Sequence, residues 1–219
     1  MSAAADRLHR IRADIASAAK FARRDPCEVT LVAVSKTRSI QEIEALIAAG
    51  QRNFGESRVQ DALAKWPPIL AAHPDLTLHC VGRLQSNKAA EAVRLFAVIH
   101  SLDRQSLLEA LVREADKQGR APSVYVQVNI GEEEQKGGCA IGEVAELIAA
   151  VRASPLPLAG LMAIPPQDFE PAPFFALLAE IARRHDVAGL NLGMSADYHS
   201  AVKLGATAVR VGTALFEDG

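Results

Sequence analysis

Strand-like and helix-like segments alternate along the whole sequence, and this alternation constrains the fold more than any other feature. Short runs of β-branched and other apolar residues predict eight strands, at Val29–Val34, Asn53–Gly55, Thr77–Gly82, Ala97–Ser101, Val124–Ile130, Leu158–Ile164, Leu190–Gly193 and Ala208–Thr213. Helical patterns follow the first seven runs, at Ile40–Ala49, Ser57–Lys65, Ser86–Arg94, Gln105–Gln118, Gly142–Ala153, Pro173–His185 and Ala196–Leu204. This order predicts parallel βαβ units, because parallel strands need long crossover connections.

Local signals support several of the helix boundaries. Ser39 precedes Glu42 with the spacing of a capping box, and Gly50, Gly119 and Gly205 stand where helices would end. Eight units within 219 residues predict a single α/β domain over 1–219, a (β/α)8 TIM-type barrel. An open doubly wound sheet is the alternative, but the chain lacks the Gly-x-Gly-x-x-Gly turn typical of dinucleotide-binding forms.

The segment before the first strand predicts an extra N-terminal helix. Apolar residues recur there at three- and four-residue steps: Leu8, Ile11, Ile15, Ala18 and Ala22. Asp6 and Asp14 argue against a transit peptide, since such peptides are poor in acidic residues. We therefore expect an amphipathic helix packed on the barrel.

Composition excludes several classes of function. The net charge of −2 gives no sign of a nucleic acid or an anionic membrane as a partner. No apolar stretch reaches the 18 or so residues of a membrane span. The three cysteines form no CxxC pair, which favours a reduced, cytoplasmic setting without disulfides or a zinc site.

Unusual polar residues follow the predicted strands, where the loops of such a barrel build the active site. Lys36 comes directly after the first strand run. Apolar surroundings favour the neutral amine of a lysine, and a neutral amine can attack an aldehyde to form an imine. The alternative is a lysine that simply extends into solvent from the end of a strand.

An anion site is expected at the ends of strands seven and eight. Ser195 is expected to be the N-cap of a helix beginning near Asp197, and Gly212 and Thr213 offer backbone N–H groups in a turn. Phosphate sites recur at this place in the fold. The alternative is that Ser195 only caps and Gly212 only turns. A phosphate site opposite Lys36 would fit a phosphorylated aldehyde.

Arg210 indicates which kind of phosphorylated aldehyde would fit the site. It stands two residues before Gly212, so both face the barrel interior. A buried guanidinium needs an acceptor, and a pyridine nitrogen would serve. The alternative is a salt bridge to Glu56 or Asp103. Asn53 and His79 are further candidates to face the ring, although His79 stands near a strand start and could lie far from the rim.

Six segments follow the predicted strands or end them: Val32-Ala-Val-Ser-Lys-Thr37, Asn53-Phe-Gly-Glu56, His79-Cys-Val-Gly-Arg-Leu-Gln-Ser-Asn-Lys88, Gly160-Leu-Met-Ala-Ile-Pro-Pro166, Leu192-Gly-Met-Ser-Ala-Asp197 and Val209-Arg-Val-Gly-Thr-Ala-Leu-Phe216. Together they resemble the pyridoxal 5′-phosphate homeostasis protein family. That family is similar in fold to the N-terminal barrel of alanine racemase. The resemblance implies pyridoxal phosphate (PLP) held as a covalent aldimine on Lys36, with Arg210 facing the pyridine nitrogen.

The resemblance further implies the remaining cofactor contacts. Ser195, Gly212 and Thr213 would hold the phosphate, with Met194 beside it, and we include Asn53 among the expected cofactor-binding residues. One position departs from the family pattern, because Ser57 stands where members usually carry Asn. This departure leaves any polar role of the position open.

The resemblance implies a PLP carrier that maintains vitamin B6 and amino-acid balance without turnover of its own. We expect it to be cytoplasmic and monomeric. Apo forms of PLP-dependent enzymes are candidate partners. Racemisation needs two acid–base groups, and in alanine racemase the second is a Tyr from another domain that we do not find before the chain ends. A low-activity amino-acid racemase and a Schiff-base aldolase acting on a sugar phosphate are the alternatives.

Overall fold

Eight parallel strands close into a barrel in chain order in the computed structural model, which describes residues 2–217. The strands are β1 Thr30–Val34, β2 Asn53–Glu56, β3 Thr77–Cys80, β4 Val98–Leu102, β5 Ser123–Gln127, β6 Leu158–Met162, β7 Leu190–Asn191 and β8 Ala208–Val211. Pairing of β8 with β1 closes the sheet. The predicted (β/α)8 fold is confirmed; Met1, Asp218 and Gly219 of the expected 1–219 domain lie outside the described residues.

Helices surround this barrel. Within residues 2–217 they are α1 Ala3–Phe21, α2 Ile40–Ala48, α3 Val59–Ala72, α4 Ala89–Leu95, α5 Gln105–Gln118, α6 Val144–Arg152, α7 Ala172–Arg184, α8 Tyr198–Lys203 and α9 Thr213–Phe216. Short 3₁₀ turns span Pro26–Glu28, Ser86–Lys88 and Ile141–Glu143. None of these helices is both long and apolar enough to cross a membrane.

The helix boundaries predicted at Ser39, Gly50, Gly119 and Gly205 have the expected causes, whereas α3 runs past the predicted end at Lys65 to Ala72. Ser39 Oγ accepts from the backbone N–H of Glu42, and the Glu42 carboxylate accepts from the backbone N–H of Ser39 at 2.8 Å, which is a capping box. Gly50, Gly119 and Gly205 adopt φ of +96°, +62° and +104° after α2, α5 and α8. Glycine adopts this left-handed conformation without a steric penalty and so ends these helices.

The N-terminal helix packs on the barrel as expected. Leu8, Ile11 and Ile15 are buried on one face of α1, which contacts α2, α8 and α9. Ala22 lies just beyond the last helical residue, Phe21. The amphipathic pattern therefore marks a helix that covers the side of the barrel where β8 meets β1.

Five strands end earlier than predicted: β3 at Cys80, β5 at Gln127, β6 at Met162, β7 at Asn191 and β8 at Val211. The seventh run was expected to reach Gly193, but β7 stops at Asn191. Gly193 turns the chain with φ +89°, and a Cβ there would lie 2.7 Å from Tyr198 Cα. The eighth run was expected to reach Thr213, but β8 stops at Val211, because Thr213 already begins α9. Both turns bring backbone to the rim.

The register between the first and eighth strands brings the expected site together. Val32 pairs with Arg210 and Ala33 with Val211. Parallel strands point the same way, so the residues that follow β1 and β8 emerge at the same rim of the barrel. Lys36 and Gly212 therefore lie on neighbouring segments, although they are far apart in the chain.

Candidate functional site

A cavity of about 440 Å³ opens at the C-terminal rim of the barrel. Its lining contains six of the seven residues expected from the sequence to bind a cofactor: Lys36, Met194, Ser195, Arg210, Gly212 and Thr213. The volume lies within the range of about 300–1,000 Å³ that is usual for small-molecule sites. The cavity can therefore hold a ligand of cofactor size.

Asn53 is not brought into this cavity. It is the first residue of β2, and the start of a parallel strand lies at the opposite end of the barrel from the rim. There it lines a separate cavity with Gln51 and Cys27. The structure thus separates Asn53 from the other six, and the expectation that it contacts the same ligand needs correction.

Lys36 stands at the rim with its side chain exposed, two residues after β1. Apolar surroundings were predicted for this amine, but the side chain is exposed. The next residue, Thr37, has φ +64°, and its hydroxyl donates to the Lys36 carbonyl at 2.5 Å. A β-branched residue rarely adopts this conformation, and such strain is typical of functional sites.

A buried carboxylate supports the segment that carries Lys36. Glu56 at the end of β2 is 1% exposed and accepts hydrogen bonds from Ser35 Oγ at 2.7 Å and Trp66 Nε1 at 2.9 Å. Lys65 Nζ lies 2.7 Å from the same carboxylate and also donates to the Ser35 carbonyl at 3.0 Å. These contacts fix the backbone directly before Lys36.

Ser195 joins the turns that follow β7 and β8, and it is not a helix cap. Its Oγ accepts from the backbone N–H of Gly212 at 3.2 Å. Asp197, the residue before α8, instead accepts from the backbone N–H of Met194 at 2.6 Å. The backbone N–H groups of Ser195 and Ala196 have no acceptor within the described chain. They are available to an anion in the cavity.

Arg210 is 5% exposed and is held by oxygen atoms of neighbouring strands. Its Nη1 donates to the Asn191 side-chain oxygen and to the Asn191 carbonyl at 3.2 Å, and its Nη2 donates to the Ala163 carbonyl at 3.3 Å. Burial lowers the pKa of Arg210 to about 10, although the charge of Asp197 opposes this. The guanidinium therefore remains charged at neutral pH.

Neither of the two salt bridges considered for Arg210, to Glu56 or to Asp103, is present. Glu56 pairs with Lys65, and Asp103 pairs with Arg104. Arg210 meets no carboxylate at ion-pair distance within residues 2–217. Its hydrogen-bond partners are all neutral oxygens, so no bonded carboxylate neutralises the positive charge that borders the cavity.

His79 lies inside the barrel and does not line the rim cavity. Its Nδ1 is 2.8 Å from His100 Nε2, and its Nε2 is 3.1 Å from Asn53 Oδ1. His100 in turn contacts the side-chain amide of Asn191. Burial lowers the pKa of His79 to about 4 and that of His100 well below its usual range. Both imidazoles are therefore neutral at pH 7.

Two members of the site were not identified as such from the sequence. Arg38 lines the cavity, pairs with Glu217 and lies 5.2 Å from the centroid of the Phe216 ring. Asn191 supplies the acceptor for Arg210. The signal for Asn191 was its position two residues before Gly193 in a strand that is otherwise apolar, which marks a polar residue on the interior face.

The cavity carries positive charge. Lys36, Arg38 and Arg210 line it, and no Asp or Glu of the described residues does. Guanidinium and ammonium groups together with free backbone N–H groups form strong hydrogen bonds to phosphate oxygens. No group of three His, Cys, Asp or Glu side chains within residues 2–217 is arranged to hold a metal ion. The geometry suits an anionic organic ligand.

Comparisons with known proteins agree with this geometry. Residues 7–218 match the family model described as alanine racemase, N-terminal domain. The pyridoxal phosphate homeostasis protein of Pseudomonas aeruginosa is 40% identical over 99% of this chain and 96% of its own length. That of Escherichia coli K12 is 37% identical over 99% and 97%, respectively.

A solved structure gives the same result in three dimensions. PipY of Synechococcus elongatus, in a structure described as having PLP bound, superposes with a TM-score of 0.83 at 38% identity. The match covers 97% of this chain and 99% of that one. The chain therefore belongs to the alanine racemase N-terminal domain family and, within it, to the pyridoxal phosphate homeostasis proteins.

Proposed function

We propose that this chain binds pyridoxal 5′-phosphate in the rim cavity, covalently through Lys36, and thereby maintains the free level of this cofactor in the cell. The observation that carries the proposal is the convergence of Lys36, Arg210 and the Ser195–Gly212 contact on one cavity. These groups match an aldehyde, a pyridine nitrogen and a phosphate, in that order.

The aldehyde is the reactive part of the ligand. The Lys36 Nζ would add to the aldehyde carbon, and the carbonyl oxygen would leave as water with the two amine protons, giving a carbon–nitrogen double bond. Exposure of Lys36 at the rim gives a phosphorylated aldehyde direct access from solvent. The contacts that hold Ser35 would keep the amine oriented while the ligand enters and leaves.

The phosphate would lie against the turns after β7 and β8. Ser195 Oγ and the free N–H groups of Ser195 and Ala196 can donate to its oxygens. A Cβ built at Gly212 would meet the Val34 carbonyl at 3.4 Å, an ordinary contact, so the protein's own packing leaves room there. That room would be filled by the ligand, which is why glycine suits the position.

Arg210 would face the ring nitrogen. A guanidinium keeps its proton and can only donate, so a pyridine nitrogen opposite it stays unprotonated. An unprotonated ring withdraws electrons less strongly than one paired with a carboxylate, and this limits carbanion chemistry on a bound amino acid. The choice of arginine therefore favours holding the cofactor over using it.

The lining of the cavity favours a carrier over an enzyme. Apart from Lys36, it contains no Tyr, His, Cys, Asp or Glu among the described residues, so a second acid–base group is absent from it. Tyr198 donates to Asp14 at 3.0 Å, and Tyr125 packs against His100 inside the barrel. We therefore propose that the chain has no turnover of its own, because racemisation needs two such groups.

The remaining parts of the proposal concern setting and partners. We propose that residues 1–219 act as one domain, that the protein works as a monomer in the cytoplasm, and that apo forms of PLP-dependent enzymes receive the cofactor. An open rim supports transfer, since a ligand exposed to water can exchange without a large conformational change. The three cysteines are free, in keeping with a reduced compartment.

The deciding experiment is an absorbance spectrum of the purified full-length protein before and after borohydride reduction, followed by peptide mapping. We expect a visible imine band that borohydride removes, and a pyridoxyl group on Lys36. A colourless protein that borohydride couples only to an added sugar phosphate would instead support the aldolase. Solvent deuterium at Cα of added amino acids would support the racemase.

A further inference from the structure

Five side chains form a continuous line of hydrogen bonds across the barrel interior. The line runs from Arg210 on β8 through Asn191 on β7, His100 on β4 and His79 on β3 to Asn53 on β2. Four of these residues are at most 5% exposed, and only Asn53 is partly accessible. The line therefore joins the rim cavity to the opposite end of the barrel.

Arg210 fixes the direction of every bond in this line. A guanidinium is only a donor, so the Asn191 atom that faces it must be the amide oxygen. The amide nitrogen of Asn191 then faces His100 Nδ1, which must accept and therefore carries no proton. A neutral imidazole with a bare Nδ1 carries its proton on Nε2.

The same reasoning continues to the far end. His100 Nε2–H donates to His79 Nδ1 at 2.8 Å, which leaves Nδ1 of His79 without a proton. His79 Nε2–H then donates to Asn53 Oδ1 at 3.1 Å. Each acceptor in the line then has one donor, and no two donors or two acceptors face each other. The hydrogen bonds of the line can therefore all form with only this arrangement of protons.

We propose that Asn191, His100, His79 and Asn53 are positioning residues for Arg210, and that they hold its guanidinium with both histidines in the Nε2–H form. Burial depresses the pKa of both imidazoles, which agrees with neutral rings at pH 7. The Ala163 carbonyl holds the other guanidinium nitrogen, Nη2, so the group is constrained on two sides. Its role toward a bound ring rests on the proposed function.

The arrangement of protons can be measured without any ligand. Long-range ¹⁵N–¹H spectra of the PLP-free full-length protein at pH 7 distinguish protonated from bare imidazole nitrogens, and spectra of His79→Gln and His100→Gln assign the signals. We expect bare Nδ1 and protonated Nε2 in both histidines. A proton on Nδ1 of either ring, or a charged ring, would overturn the proposal.

Two variants of Asn191 test separately the direction of the hydrogen bonds and the positioning of Arg210. Asn191→Asp keeps an acceptor for Arg210 but removes the donor to His100, so we expect a proton to appear on Nδ1 of His100. Asn191→Leu removes the side-chain acceptor, and we expect PLP affinity to fall roughly tenfold to a hundredfold, in line with a lost charged hydrogen bond. Asn129→Leu is the matched control, because Asn129 lies in the loop after β5, contacts Glu133 and lines neither the cavity nor the hydrogen-bonded line.

The outcomes distinguish the two proposals. Unchanged PLP affinity in Asn191→Leu would overturn the positioning role, and an unchanged His100 proton in Asn191→Asp would overturn the assigned direction. If the wild-type protein bound no PLP, the proposed function would fail, while the wild-type ¹⁵N spectrum would still decide the direction of the line. That spectrum also decides it if either Asn191 variant does not fold.

Discussion

Lys65 Nζ lies 2.7 Å from the buried carboxylate of Glu56, and the same amine donates to the carbonyl of Ser35, the residue before Lys36. An ion pair on α3 and β2 thus holds the segment that presents the rim lysine. Removing one partner of a buried pair leaves the other charge uncompensated.

We expect Glu56→Gln to lower the free energy of unfolding by about 3 kcal/mol, because the Lys65 ammonium loses its counter-charge. Urea unfolding followed by tryptophan fluorescence would measure this, since Trp66 donates to the same carboxylate. Glu180→Gln is the control, as Glu180 pairs with Arg183 and Arg184 on the surface. Equal stability of the Glu56 and Glu180 variants would contradict the structural role of the pair.

Lys36→Ala is expected to remove the visible absorbance while leaving the melting temperature within about 2 °C, because an exposed rim residue contributes little packing. Lys36→Arg keeps the positive charge but cannot form an imine, so it should be equally colourless. Visible absorbance in either variant would point to another lysine.

Ser195→Ala is expected to weaken PLP retention about tenfold, through loss of one hydroxyl contact to a charged phosphate. It also frees the Gly212 N–H, which can then donate to the ligand and moderate the loss. Equilibrium dialysis of protein that has not been treated with borohydride measures how much PLP each variant retains. Ser154→Ala, just after α6 and outside the cavity, should change retention by less than about twofold. Equal losses in the two variants would argue against a phosphate contact at Ser195.

Arg210→Lys is expected to be a severe change despite keeping the charge. A single ammonium cannot reach the Asn191 and Ala163 oxygens with the geometry of a guanidinium, so buried acceptors lose their donors. We expect a loss of about 1–3 kcal/mol in unfolding free energy together with weaker PLP binding. Chemical denaturation and spectroscopic titration would report the two effects separately, and wild-type values in both would contradict the placement of Arg210.

Acid should destabilise the protein through its buried histidines. The folded pKa of His79 is about 4, below its ordinary value near 6.5, so the unfolded chain binds the extra proton first. Stability is therefore full above pH 6.5 and declines as the pH falls toward 4, by roughly 2 kcal/mol at pH 5 for His79. His100 acts in the same direction.

Urea unfolding at pH 7.5 and at pH 5 would measure this decline. His79→Gln retains one acceptor and one donor but does not titrate, so it should lose less stability between the two pH values than the wild type. His9→Gln, at an exposed site on α1, should behave like the wild type. The same pH dependence in all three proteins would exclude His79 as the source.

The regular parts of the fold could be predicted because local sequence determines them. The capping box at Ser39 and the glycines after α2, α5 and α8 act over a few residues, and the structure has them where the sequence indicated. The strand ends at Asn191 and Val211 could not be predicted in the same way. They depend on a glycine turn and a short helix that apolar character alone does not reveal.

The candidate site could be predicted where its residues lie at or just after strand ends. Lys36, Arg210 and Ser195 were expected at the rim for that reason. Asn53 was misplaced because its motif was taken as rim sequence, although it begins a strand. The partners of Arg210 could not be predicted, since the choice of Asn191 over Glu56 depends on the register between the neighbouring strands β7 and β8.

The pairing of Val32 with Arg210 has a consequence for biosynthesis. The amine comes from the first strand and the guanidinium from the eighth, so a growing polypeptide on the ribosome lacks a complete pocket until the eighth strand has emerged and docked. Loading with vitamin B6 must then follow closure of the barrel, and uptake of the ligand would report that the chain has finished folding.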